Sequence, residues 1–337
     1  MHFLRFLLIF IVFLIHLNPL HAFILDEVKD RGYLRCGISE PFIGFASIDD
    51  EGNWNGFDVD LCRAISAAIF SDPNKVEYTI TTNRSRFPIL AGGEVDLLSR
   101  ITTWTFSRDV NLGFEFTGIS FFDGQAFLIR SSLGVIAAQE LDGASVCVIE
   151  GSTFQFNIDN FFKQNNINYT PVSVELNDEA FENFLSGRCD VYSDYITELA
   201  RKRISIPNSD EFTILPELIS KEPLGPLVRQ DDDQWRDLVS WCLKVMVIAE
   251  ELNINSKNVD NFIDSENNEI LRLLGYVGSY GDMIELDETW AYQIIKQVGN
   301  YGESFDRNLG SKSLLNLDRG LNNLYNKGGL LYAPPFR

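Results

Sequence analysis

Gly93-Glu94-Val95-Asp96-Leu97-Leu98-Ser99-Arg100-Ile101-Thr102-Thr103-Trp104-Thr105-Phe106-Ser107-Arg108-Asp109 reads as a strand that opens into hydroxyls and closes on an arginine. Residues 95–98 are the short apolar strand. Residues 99–107 follow as an irregular run whose backbone N–H groups have no ladder to join. Free N–H groups, a Thr103 hydroxyl and the forked guanidinium of Arg108 together suit a small carboxylate, because a guanidinium grips both oxygens at once. A solvated turn with a surface arginine is the competing reading, since Ser/Thr-rich turns are common.

Working outward, the elements before this stretch alternate. Residues 33–37 read as a strand, followed by a Pro/Gly loop that carries Phe42 and Phe45. The turn Gly52-Asn53-Trp54-Asn55-Gly56 leads into a helix whose Leu61, Ile65, Ala68 and Ile69 repeat at helical spacing. Asp58 and Asp60 in its first turn read as helix-start acids rather than metal ligands. A strand at 76–81 and a short helix at 85–90 bring the order to β, α, β, α, β, which implies a mainly parallel sheet. Ligands of such sheets sit beyond the carboxyl ends of strands, where Phe42 and residues 99–103 both fall.

A second alternating unit follows. Residues 118–130 read as one long strand and residues 145–149 as a buried one. That strand runs into Gly151-Ser152-Thr153 and a helix at 154–162, a helix start with free N–H groups and a hydroxyl. An ordinary N-cap is the alternative. Asn177 opens another helix, and the strand Cys189-Asp190-Val191-Tyr192 ends at Asp194, where a carboxylate can hold an ammonium. Residues 221–229 read as a crossing segment back to the first unit. Helices are predicted at 234–252, 290–298 and 314–326, the last from the spacing of Leu314, Leu317, Leu321 and Leu324.

Composition narrows the function. The chain of 337 residues carries a formal charge of −20, which opposes binding to nucleic acid or to anionic lipid. Residues 1–22 read as a cleaved signal peptide: one arginine, an apolar core at 6–17, then Asn18-Pro19 and a small residue, Ala22. All three histidines, at 2, 16 and 21, fall within it. The remaining chain therefore has no histidine for Ser-His-Asp or Cys-His catalysis, and a zinc site or other cofactor is not expected. Five cysteines without a CxxC suggest two disulfides and one left over in an exported chain.

These pieces form a cleft between two lobes: Phe42, Thr103 and Arg108 from one, Thr153 and Asp194 from the other. The chain resembles the amino-acid-binding solute-binding proteins of ABC transporters, most closely the general L-amino-acid-binding subgroup. The resemblance rests on the stretches 52–62, 98–105, 188–192, 296–303 and 328–335 and covers essentially the whole mature chain. It implies an α/β fold of two lobes (the type II periplasmic-binding-protein fold), each a mainly parallel sheet flanked by helices. An additional helical C-terminal region belongs to the first lobe, which holds residues 23–128 plus 222–337; the second holds 129–221. It further implies that Arg108 and Thr103 take an α-carboxylate, that Thr153 adds a donor and that Asp194 takes the ammonium. Phe42 covers the ligand, and Trp104 offers a second apolar face. Ile101 departs from the polar residue usual at its position, and the run 192–195 is one residue shorter than the subgroup's.

The implied protein is a periplasmic monomer that captures L-amino acids and hands them to inner-membrane ABC permease subunits. A dehydratase-like enzyme on the same fold is the alternative, and it would need a general acid in the cleft. The order of the cysteines pairs Cys36 with Cys62 and Cys147 with Cys189, leaving Cys242 free and buried. No acidic pair or basic cluster near Arg108 is legible, so the sequence predicts broad specificity for L-amino acids.

Overall fold

The computed structural model describes residues 23–337, and the leader assigned to residues 1–22 lies outside them. Two five-stranded sheets organise the chain. In the first, Leu34–Ser39 lies between Val76–Thr81 and Leu97–Leu98 and is parallel to both. Leu227–Arg229 then pairs antiparallel with Leu97–Leu98 on one side and Phe114–Phe116 on the other. In the second, Ala144–Ile149 lies parallel to Tyr169–Val174 and Val191–Tyr195, while Gln125–Arg130 and Phe212–Ile214 join antiparallel. Each sheet is thus parallel at its heart with antiparallel strands added where the chain crosses between lobes.

The crossing itself is a two-stranded ribbon. Phe121–Asp123 pairs antiparallel with Glu222–Leu224, with Glu222 opposite Asp123 and Leu224 opposite Phe121. The long strand predicted over 118–130 is therefore two strands parted at Gly124, one in the ribbon and one in the second sheet. Apolar extended sequence runs through both halves, and periodicity does not register where a strand changes its ladder partner.

Helix Phe57–Phe70 packs over the first sheet, and almost every residue along it is buried. Its first turn explains one glycine and two acids. Gly56 has φ of 144°, and a Cβ there would run into the Phe45 carbonyl, because the Phe57 and Asp58 N–H groups bond back to Gly44 and Phe45. Asp58 and Asp60 are not caps. Asp58 accepts bonds from the Ile101 N–H at 3.0 Å and the Ser99 hydroxyl. Asp60 accepts from Ser304, Arg307 and Asn308 of a C-terminal helix.

The C-terminal helices Asp233–Glu251, Trp290–Gln297 and Tyr301–Asn308 cover helix Phe57–Phe70. Trp235 anchors the first of them: its ring is fully buried and its Nε1–H donates to the Asp96 carbonyl at 3.0 Å. Burying large side chains of this kind contributes roughly 1.5–3 kcal/mol each. The helix predicted at 314–326 does not form; two single 3₁₀ turns, Gly320–Asn322 and Tyr325–Lys327, occupy that stretch. Only Leu324 of its four leucines is buried, and Leu314 is 92% exposed. Asn316 and Gly320 take left-handed conformations that a helix does not accommodate.

Both expected disulfides are present. Cys36–Cys62 ties the central strand of the first sheet to the helix above it, with Cα atoms 6.3 Å apart. Cys147–Cys189 ties a strand of the second sheet to the residues leading into its neighbour, at 5.7 Å. Neither crosses the ribbon. Cys242 is free and buried.

Candidate functional site

A cavity lies between the two sheets, at the carboxyl ends of Leu34–Ser39, Leu97–Leu98 and Ala144–Ile149. It encloses about 730 Å³ of space free of protein atoms, its open mouth included. Phe42, Thr103, Arg108 and Thr153 all line it. Local structure places each. The strand Leu97–Leu98 is short because Ser99 and Ile101 turn to bond Asp58, and residues 102–104 then bond to the crossing ribbon instead. Trp104 donates its N–H to Pro223 at 2.8 Å, and Gly225 donates to Thr102 at 3.0 Å. Thr105 caps the short helix Phe106–Asn111 by accepting the Arg108 N–H, and Arg108 Nη1 donates to the Thr103 carbonyl at 2.9 Å.

Ile101 carries the strain of this turn. Its φ of 37° is left-handed, a region β-branched residues avoid. Asp58 holds its N–H, and its carbonyl accepts the Tyr195 hydroxyl at 3.1 Å. At the position where the resemblance expected a polar side chain, both backbone polar groups of Ile101 are thus engaged within the protein.

Two of the anticipated residues stand elsewhere. Trp104 does not line the cavity. Its indole stacks on Phe116 at 5.2 Å, 9° from parallel, packed with the outer strands of the first sheet. Residues 103 and 104 form an extended pair held by the ribbon, so their side chains point to opposite sides. Thr103 takes the cavity and Trp104 the sheet flank.

Asp194 is also turned away. Strand Val191–Tyr195 alternates its faces, and the shortened run puts Ser193 and Tyr195 on one face, Tyr192 and Asp194 on the other. Asp194 accepts bonds from the Tyr192 hydroxyl at 2.5 Å and the Tyr195 N–H at 2.7 Å. Burial, with Glu198 nearby, raises its pKa well above the ordinary carboxylate range. Tyr195 occupies the cavity wall instead, and its hydroxyl lies 3.3 Å from that of Thr103 across the lobes.

Several cavity residues carry no signature in the sequence. Arg86 and Arg100 line the wall beside Arg108, and all three are buried, at 2%, 2% and 8% exposure. Desolvation lowers the pKa of each guanidinium. Arg100 donates to the Asn83 side chain at 3.0 Å and sits 3.8 Å from Glu40. Arg86 donates to the Gly151 carbonyl of the second lobe at 3.3 Å. Asn177, Asp178 and Glu198 line the opposite wall. Arg100 lies within the stretch that first suggested the site, so its proximity to Arg108 was available there. Arg86 opens an unremarkable short helix.

Glu222 of the ribbon joins the two lobes under the cavity. It is buried and accepts the hydroxyls of Thr103, at 2.5 Å, and Thr153, at 3.0 Å, together with the Asn157 amide and Ser220 hydroxyl. Among the described residues no group of three or more His, Cys, Asp or Glu side chains is placed to hold a metal ion.

Two sheet-bearing lobes, a two-stranded ribbon between them and a polar cavity where they face each other define a solute-binding protein of the hinged, two-lobed class. A family model for the bacterial extracellular solute-binding proteins, family 3, matches residues 34–258, and the chain belongs to that family. It is 49% identical over 315 residues to the general L-amino acid-binding periplasmic protein AapJ of Rhizobium johnstonii, covering 93% of this chain and 92% of that one. It is 47% identical over 314 residues to the glutamate/glutamine/aspartate/asparagine-binding protein BztA of Rhodobacter capsulatus, covering 93% of each. A solved periplasmic binding protein from Brucella ovis with glutathione bound superposes with a TM-score of 0.90 at 47% identity, over 94% of this chain and all of that one.

Proposed function

We propose that this protein captures L-amino acids in the inter-lobe cavity, in the periplasm, and delivers them to the membrane subunits of an ABC-type permease. The single observation that carries the reading is Arg108, a buried guanidinium that forms no ion pair among the described residues, on the wall of a cavity between two lobes. A buried charge without a counter-ion is costly, and a ligand carboxylate would offset that cost. Thr103 stands beside it as a hydroxyl partner, Thr153 adds a second from the facing lobe, and Phe42 supplies an apolar cover. With Asp194 turned away, the carboxylates left on the cavity lining for the ammonium are Glu40, Asp178 and Glu198, the last two already paired with Lys202 and Arg201. The Brucella ovis protein binds glutathione, itself an amino-acid derivative, in a closely similar fold. The protein acts as a binding component of transport and not as an enzyme.

A thermal-shift screen of the purified protein against the common L-amino acids tests the reading, because a ligand that binds only the folded state raises the melting temperature. Several L-amino acids should raise it, and their decarboxylated amines should not. A flat response to all of them would overturn the proposal.

A further inference from the structure

The specificity read from the sequence assumed that no basic cluster lies near Arg108, and the fold places two more arginines there. We infer that the cavity selects amino acids carrying a second anionic group, with Arg86 and Arg100 holding that group while Arg108 and Thr103 take the α-carboxylate. This rests on the amino-acid reading above and narrows its substrate class.

The three guanidiniums are each almost wholly buried on one wall. Among the described residues Arg86 forms no ion pair, and the Nε atoms of both Arg86 and Arg100 are buried without a partner. Arg100 faces two carboxyl groups: Glu40, at a long 3.8 Å, and Asp58, whose oxygens already accept the Ile101 N–H and the Ser99 hydroxyl and whose burial favours the neutral form. The acids of the facing wall do not balance this charge. Lys202 pairs with Asp178 at 2.5 Å, and Arg201 donates its Nε–H to Glu198 at 2.7 Å. Glu222, the remaining nearby carboxylate, has its oxygens filled by Thr103, Thr153, Asn157 and Ser220. A monocarboxylic zwitterion would satisfy Arg108 and leave Arg86 and the free edge of Arg100 without an anion. A second carboxylate would satisfy both, and guanidinium forks favour that geometry. A free acidic side chain and the terminal carboxylate of a γ-glutamyl peptide are two sources of the same chemistry.

Titration calorimetry on the full mature protein tests this with matched pairs: L-glutamate against L-glutamine, L-aspartate against L-asparagine, and glutathione against its glycyl monoethyl ester. The expected result is that at least one charged member binds on the order of tenfold or more tightly than its neutral partner. In Arg86→Met and Arg100→Met that ratio should fall toward one. Should either variant fail to fold by circular dichroism, the ratios in the unsubstituted protein decide alone. The inference is overturned if every neutral partner binds within threefold of its charged form, or if the ratio survives both substitutions. Binding in which every neutral partner matches its charged form sinks only this inference. No binding by any of the six, with a blank screen of the common amino acids, sinks the amino-acid reading as well.

Discussion

At the residue scale, Arg108 carries the largest single expectation. Removing one partner of a desolvated, hydrogen-bonded charge pair costs about 2–5 kcal/mol. Arg108→Ala should therefore weaken amino-acid binding at least thirtyfold while leaving the circular dichroism spectrum unchanged. Arg108→Lys should restore little, since an ammonium lacks the fork. Calorimetry checks both, and a loss under tenfold in Arg108→Ala removes Arg108 from the site. Asp58 gives a second expectation, in pH. Burial pushes its carboxyl up to about 7, against the bonds from Ile101 and Ser99. A carboxyl raised in the folded state keeps its proton while the unfolded chain loses it. Asp58 therefore contributes stability below the ordinary carboxylate range that is lost as pH rises toward 7, by at most about 1.4 kcal/mol per pH unit. The melting temperature of Asp58→Asn, relative to the unsubstituted protein, should improve steadily between pH 5 and pH 7. A difference that stays flat over that range would show that Asp58 is ionised in the fold.

Among the elements, the two disulfides and the entry of helix Phe57–Phe70 fix the frame on which the site is built. Cys36–Cys62 closes a loop over a sequence separation of 26 and Cys147–Cys189 over 42. Opening either should lower stability by about 2–5 kcal/mol. Peptide mapping without reduction should recover both pairs and an unmodified Cys242. A bond joining the lobes instead would contradict the ribbon as a hinge. Gly56 makes a sharper test of the same region. Its left-handed backbone and the adjacent Phe45 carbonyl leave no room for a Cβ. Gly56→Ala should destabilise by clearly more than the roughly 1 kcal/mol typical of a point substitution, read from urea unfolding.

For the whole molecule, the contacts that span the lobes set how binding couples to closure. They are of two kinds. Arg84 pairs with Glu150 and reaches Glu175 at the exposed rim, where such pairs contribute about 0.2–1 kcal/mol. Tyr195 reaches Ile101 and Thr103 inside the cavity, where a hydrogen bond lost from a buried acceptor costs about 1–3 kcal/mol. Tyr195→Phe should thus weaken ligand binding more than Arg84→Ala does. The effect of Arg84→Ala should also shrink in high salt, because only the rim pair is screened. Equal effects, or the reverse order, would place the closing energy at the rim. Small-angle scattering should show the radius of gyration decreasing on ligand addition if closure around the hinge accompanies binding.

Much of this was written locally in the chain. Alternating apolar strands and helical spacing made the two α/β units legible, and the strand-end positions of Phe42, Thr103, Arg108 and Thr153 followed from them, because ligands gather beyond the carboxyl ends of such strands. The cysteine order carried both pairings. What one dimension did not hold was which way a side chain faces and what comes to stand beside it. Trp104 and Asp194 sit one residue from cavity-lining neighbours, and in extended chain one residue is the whole difference between the two faces. Strand change at Gly124 and the failed helix over 314–326 were hidden for a related reason: both depend on partners that other segments supply. The third consequence is chemical. Arg86, Arg100 and Arg108 are separated in sequence by a strand and a helix, and only the packing of the first lobe brings their buried charges to one wall, where they replace a site for any amino acid with one that favours a second anion.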